Sequence, residues 1–235
     1  MIPLYSDLKL TRVPFVTVAL ICINIAAFWY QFTGAGSFEQ SVKLFGMIPA
    51  ELFHADYTAG ELPRQVTLLT SMFMHGGFLH LGMNMLYLWV FGRNVEDDFG
   101  HIGFLVFYLC AGVIATVAFA MAFPASTVPL VGASGAIAGV LGAYFLRFPT
   151  SRVYCMLIFI IMVRIIPLPA FFILGLWFFI QIGSCFVHMA SPAGAAGMGG
   201  VAWISHVAGF VTGLVWTIFV LRSRYHRRRG GRSAW

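Results

Sequence analysis

Charge is scarce in this chain. Asp, Glu, Lys and Arg make up 9% of its 235 residues and only eight are acidic, against about 25% charged residues in ordinary soluble domains. With 60% hydrophobic residues and a mean hydropathy of +0.88, a soluble globule is excluded and the solvent is lipid. Cysteine is sparse and scattered: Cys22, Cys110, Cys155 and Cys185 stand singly in apolar stretches with no C-x-x-C pair. They read as small buried hydrophobes and give no thiolate metal centre. No His-Glu-x-x-His occurs, and the seven histidines are not paired at ligand spacing, so neither a metalloprotease nor a metal cofactor is expected. A transporter or channel would need charges along a pathway and often two similar halves; the chain has neither.

What the chain does have is six apolar segments, at about 13–32, 78–91, 103–123, 134–148, 170–188 and 203–221. The first exceeds a typical signal-peptide core, although the small residues 34–37 keep cleavage open as an alternative. The stretch 153–166 is apolar but broken by Arg164 and followed by Pro167 and Pro169, and reads as interfacial or re-entrant. If both termini are cytoplasmic, that side receives Lys9, Arg12, Arg93, Arg147, Arg152, Arg164 and six tail arginines, while the outer side receives only Lys43 and Arg64. Twelve against two is a strong positive-inside signal. The expected architecture is an all-α membrane protein of six transmembrane helices, one domain over 1–235 ending in a basic tail at 222–235. The net charge of +6 lies largely in that tail, directly after an apolar helix. It therefore reads as a lipid-headgroup anchor, and no nucleic acid is expected as a partner. Two loops stand out. The segment 33–77 is long enough to have structure of its own. The uncharged Gly- and Ala-rich stretch 189–202 is either a plain connector or, from its place before His206, a mobile lid.

The chemistry begins at Ser134, in Gly132-Ala133-Ser134-Gly135. About 14 residues separate it from Arg147, which at 1.5 Å per residue gives about 21 Å against about 30 Å of hydrocarbon. Ser134 should then lie about 9 Å below the outer surface, at a helix N-terminus on the floor of a wet cavity. Free backbone N–H groups there could stabilise an oxyanion. Taken alone, the serine reads first as a helix N-cap. It is not a nucleophile elbow, because Ala136 stands where that motif needs glycine. Gly135, Gly139 and Gly142 on the fourth segment, with Gly209 and Gly213 on the sixth, give two smooth faces able to pack closely. Such packing would bring His206 beside Ser134 as a general base; the alternative is a packed core histidine. No acid lies in or beside these two segments, so a Ser–His dyad is expected and not a triad. His80 and Asn84, one turn apart, are either oxyanion donors or a hydrogen-bonded pair between helices.

Taken in order, Met74-His75-Gly76-Gly77-Phe78-Leu79-His80-Leu81-Gly82-Met83-Asn84, then Gly132-Ala133-Ser134-Gly135, then His206-Val207-Ala208-Gly209 with Gly213, resemble the rhomboid family of intramembrane serine proteases. The resemblance implies a six-helix bundle with Ser134 as nucleophile and His206 as base and acid. His80, Asn84 and the Ser134 amide would bind the oxyanion, and Glu96 would be a structural acid. It further implies cleavage of transmembrane protein substrates near the outer boundary, no cofactor, a first outer loop partly in the membrane, and a last loop capping the site. It leaves the oligomeric state unspecified. Ala138 departs from the pattern, since many relatives carry there an aromatic ring stacked on the histidine; the ring is then held less firmly or another aromatic substitutes. A relative that only escorts membrane clients is the alternative, but it would need none of the four polar side chains. The compact form, with no transit sequence apparent, leads to the expectation of a prokaryotic cytoplasmic membrane.

Overall fold

The computed structural model describes residues 2–34, 36–52, 63–159, 162–190 and 202–230, with no side chains described for 158, 159 and 223–230. Most of the expected lid, the middle of the first outer loop and the side chains of the basic tail lie outside these residues. In chain order the elements begin with strand β1 (Ile2–Ser6) and helix α1 (Phe15–Thr33). The short helices α2 (Phe38–Phe45), α3 (Pro49–Leu52) and α4 (Thr67–Thr70) follow. Next come α5 (Phe78–Tyr87), a π-helical turn (Leu88–Gly92) and α6 (Arg93–Phe99), which make one continuous rod. After α7 (His101–Ala122) and α8 (Ser134–Arg147), strands β2 (Arg152–Phe159) and β3 (Met162–Pro169) lead to α9 (Ala170–Ala190) and α10 (Trp203–Gly230).

The described residues thus hold six helical rods that alternate in direction. Four of them, 15–33, 101–122, 170–190 and 203–222, are long and apolar enough to cross a membrane. The other two depart for separate reasons. The α5–α6 rod carries a π turn and ends in three acids, whereas α8 has only 14 residues. The molecule has its polarity inverted relative to soluble proteins. Ile102, Phe179, Phe186 and Val187 are exposed on the rods, while Thr17, Glu96 and Thr217 are fully buried. Large exposed apolar surface with polar groups turned inward suits lipid as the surrounding solvent.

Helix α8 is the axis of the bundle, and every residue from Gly135 to Tyr144 is buried. It packs most extensively on α10, and the glycines explain how. A Cβ on Gly209 would sit 2.1 Å from the carbonyl oxygen of Gly135, and one on Gly213 would sit 2.0 Å from that of Gly139. The two backbones touch, as the smooth faces foretell. These pairings also fix α10 parallel to α8, so His206, near its start, lies level with Ser134.

The end of the bundle away from Ser134 is closed by an antiparallel sheet of order β1-β2-β3. This corrects the expectation of an all-α protein: it is mostly helical, and the stretch expected to be interfacial or re-entrant supplies strands β2 and β3. The physical reason is a period of two. Val153 and Cys155 are buried while Arg152 and Tyr154, alternating with them, are not, the pattern of a half-buried strand. Pro167 and Pro169 fall on β3, an edge strand where a missing N–H can be tolerated. β1 completes the sheet from the far end of the chain, pairing Ser6 with Val153 and stacking Tyr5 on Tyr154 at 4.5 Å.

Three consecutive acids tie the same end together. Glu96, fully buried, accepts the backbone N–H groups of Val16 (2.9 Å) and Thr17 (2.7 Å) and the Thr17 hydroxyl (2.6 Å), and it meets His101 Nδ1 at 2.6 Å. It so satisfies the free first-turn donors of α1, whose N-cap position is Pro14 and offers no side-chain cap. Asp97 holds the Thr11 N–H and hydroxyl, and Asp98 pairs with Arg147 at the end of α8. Gly100, with φ +78°, then turns the chain sharply into α7. Glu96→Gln keeps the shape but turns an amide NH₂ towards these donors. It is expected to lower unfolding stability by about 1.5–3 kcal/mol, the scale of a hydrogen bond to a charged group. Denaturant unfolding in detergent checks this, and wild-type stability would remove Glu96 as the anchor.

Candidate active site

Ser134 is the first residue of α8, following Ala133 in the N-cap position (φ −69°, ψ −7°) with no side-chain cap. The serine is therefore not the cap. Its Oγ lies 2.9 Å from His206 Nε2, close enough for direct proton transfer. The Ser134 N–H is one of the orphan donors of the first turn of α8, at the same place.

The approach to Ser134 is non-helical chain, 123–133, and its backbone groups are met by the first loop. Met47 and Leu130 exchange both N–H···O bonds (3.0 and 2.8 Å), Ala50 N–H reaches Ser126 O at 3.0 Å, and Gly132 N–H donates to Ser71 O at 2.9 Å. The described parts of the loop 33–77 do have structure of their own, including a reciprocal Ser37/Gln40 capping box on α2. Hydrogen bonds to protein of this kind are what allow irregular backbone inside the bundle.

A cavity of about 770 Å³ opens over the serine, and its walls include Ser134, His206, His80 and Asn84. The structure thus brings all four expected residues together. His80 Nδ1 accepts the N–H of Gly76 at 3.3 Å, so the neutral ring carries its proton on Nε2. Asn84 is buried, and its Nδ2 has no hydrogen-bond partner among the described residues. A buried unpaired amide calls for an explanation, and one that faces a reaction cavity is a donor available to a ligand. Behind His80 the fully buried His75 packs its ring 5.1 Å away. Burial first, and then the His80 ring, hold the His75 imidazole down at about 4, so it is uncharged at neutral pH.

Gly132 lies against both donors. Its φ is +127°, and a Cβ there would fall 2.8 Å from His80 Cε1 and 3.7 Å from Asn84 Nδ2. Gly132→Ala is expected to push the His80 ring aside and to cost about 1–3 kcal/mol in backbone strain. Unfolding in detergent measures this, and unchanged stability would show that the cradle relaxes freely.

Sequence reasoning missed two residues, both on α9. Gln181, 4% exposed, places its Oε1 2.8 Å from His206 Nδ1. Trp177, one turn earlier, sets its ring 5.9 Å from that of His206 at 35°, and Trp203 approaches edge-on at 6.2 Å. The aromatic missing at Ala138 is thereby replaced from another helix, while Ala138 itself is fully buried close to Gly209. The available signal was the single glutamine inside the apolar run 170–190, since intramembrane polar residues usually have a task.

Comparison with known proteins gives the class. The Rhomboid domain family matches residues 63–223. The mitochondrial Rhomboid protein 1 of Saccharomyces cerevisiae is 30% identical over 222 residues, covering 90% of this chain and 55% of its own length. Rhomboid protease GluP of Bacillus subtilis is 36% identical over 131 residues, covering 55% of this chain and 24% of its own. The chloroplastic Rhomboid-like protein 11 of Arabidopsis thaliana is 35% identical over 83 residues, covering 35% of this chain and 29% of its own. The chain belongs to the rhomboid family, and it is an integral, multi-pass membrane protein. It spans about half or less of the length of these relatives. Because they include bacterial, mitochondrial and chloroplastic proteins, they do not narrow the membrane to the prokaryotic one expected from sequence.

Proposed function

We propose that this protein is an intramembrane serine endopeptidase that cleaves a peptide bond in or near the transmembrane segment of other membrane proteins. The observation that carries the reading is the 2.9 Å contact between Ser134 Oγ and His206 Nε2, beneath a cavity that also holds an unpaired buried amide. His206 takes the Ser134 proton as Oγ attacks the substrate carbonyl carbon. The oxyanion that forms receives hydrogen bonds from His80 Nε2–H, Asn84 Nδ2–H and the Ser134 N–H. His206 then gives its proton to the leaving amine as the C–N bond breaks. Water, losing a proton to His206, hydrolyses the acyl-enzyme and restores the serine. No cofactor enters.

The six alternating rods are read as six spans in a single domain over 1–235, with both termini and the basic tail 222–235 on the cytoplasmic side. Support comes from the clustering of Arg12, Arg93, Arg147 and Arg152 at the sheet end, opposite Ser134, where β1 and the end of α10 also lie. A helical peptide bond is shielded by its own hydrogen bonds, so substrates whose outer end holds Gly, Pro or other small residues are expected to be preferred. The test is co-reconstitution in liposomes with a single-span substrate carrying Gly and Pro near its outer end, with products mapped by mass spectrometry. Cleavage at the outer end of the span supports the reading. No cleavage, or cutting confined to soluble domains, overturns it.

A further inference from the structure

We infer that Gln181 is a positioning residue that completes the Ser134–His206 pair, holding the imidazole in the one tautomer that can act as base. The inference rests on the proteolytic reading above, and it follows from a chain of hydrogen bonds whose directions are forced. Gln181 Nε2 donates to the carbonyl oxygen of Trp177 at 3.3 Å. A carbonyl can only accept, so the amide NH₂ belongs on that side and Oε1 faces His206. Oε1 in turn can only accept, so His206 Nδ1, 2.8 Å away, must carry the proton. The neutral ring then has its lone pair on Nε2, facing the Ser134 hydroxyl at 2.9 Å. A backbone carbonyl on α9 is thus linked through one amide and one imidazole to the nucleophile. The opposite tautomer would set two lone pairs, Nδ1 and Oε1, against each other.

The same turn of α9 fixes the ring plane. Trp177 and Gln181 lie four residues apart on one face, so the indole packs on the imidazole while the amide bonds its edge. This gives a physical reason for an amide in place of an acid. A carboxylate beside a neutral histidine would be a buried charge in an apolar helix, which costs several kcal/mol. The amide supplies direction without charge. The titratable groups that share the cavity with His206 are His80 on α5 and His188 on α9, and no carboxylate lines it among the described residues.

Gln181→Met preserves length and helix propensity but removes the acceptor. It is expected to lower kcat about 10- to 100-fold with KM changed less than about twofold, since wrong-tautomer histidines lose far more in charged triads. Gln181→Glu, which keeps an acceptor towards Nδ1 but buries a carboxyl group and loses the donor to Trp177, is expected to retain more kcat than Gln181→Met while lowering unfolding stability. A second readout needs no turnover. ¹⁵N-histidine NMR of the full chain should show His206 as the Nδ1–H tautomer at neutral pH, and Gln181→Met should show both tautomers. A wild-type kcat in Gln181→Met overturns the inference, as does an Nε2–H tautomer in the wild type. If wild type fails to cleave but shows Nδ1–H, the proteolytic reading falls and the positioning contact stands; if it cleaves and Gln181→Met matches it, only the inference falls.

Discussion

Ser134→Ala is expected to leave no measurable cleavage, and His206→Ala to fall by at least about 10⁴-fold in kcat, because nucleophile and base act as one unit. The expectation follows from geometry. Ser134 opens α8 with its hydroxyl turned from capping duty towards His206, and α8 and α10 touch backbone to backbone through Gly135, Gly209 and Gly213. With so little freedom between the helices, no other described hydroxyl is brought to His206 Nε2. Both variants should remain folded. Ser134 is a first-turn residue with no cap bond to lose, and the backbone contacts of the α8–α10 glycine seam involve neither side chain. Turnover of a reconstituted substrate together with thermal unfolding checks both halves. Normal turnover by either variant would remove that residue from the mechanism.

Asn84→Ala carries the next largest effect, a loss of about 10²- to 10³-fold in kcat, or about 2.7–4 kcal/mol, the scale of a single oxyanion donor. Its amide is buried, lines the cavity and has no partner for Nδ2 among the described residues. Leaving a donor unpaired is unfavourable in the free enzyme, and that cost is relieved only when negative charge develops before it. Truncation should therefore slow the chemical step and spare folding. Unfolding stability equal to or above wild type is the companion result. If instead stability falls and kcat is unchanged, Asn84 is a packing residue of the bundle.

The parts of this protein that follow a local period could be read from sequence. The apolar rods, the short α8 and the two glycine faces are such patterns, and the faces led directly to His206 beside Ser134. The sheet could not be read that way, because β1 pairs with β2 across about 150 residues and its alternation hides inside an apolar run. The π turn at Leu88–Gly92 left no mark that a helical pattern would reveal. Gln181 was visible as the one glutamine in an apolar helix, but only the arrangement of α9 against α10 shows that it meets Nδ1. Ala138 left open a looser histidine or a substitute aromatic, and only the packing of α9 identifies that aromatic as Trp177. Tertiary contacts between helices distant in sequence account for each of these gaps.

The most direct test of an activated Ser134 is labelling of the purified full chain in detergent by a fluorophosphonate probe, with the adduct mapped by peptide mass spectrometry. A phosphonyl adduct on Ser134 of the wild type, absent from Ser134→Ala and His206→Ala, is the predicted result. Folded wild type that takes no label across several serine-directed probes, or an adduct equally strong without His206, would contradict it.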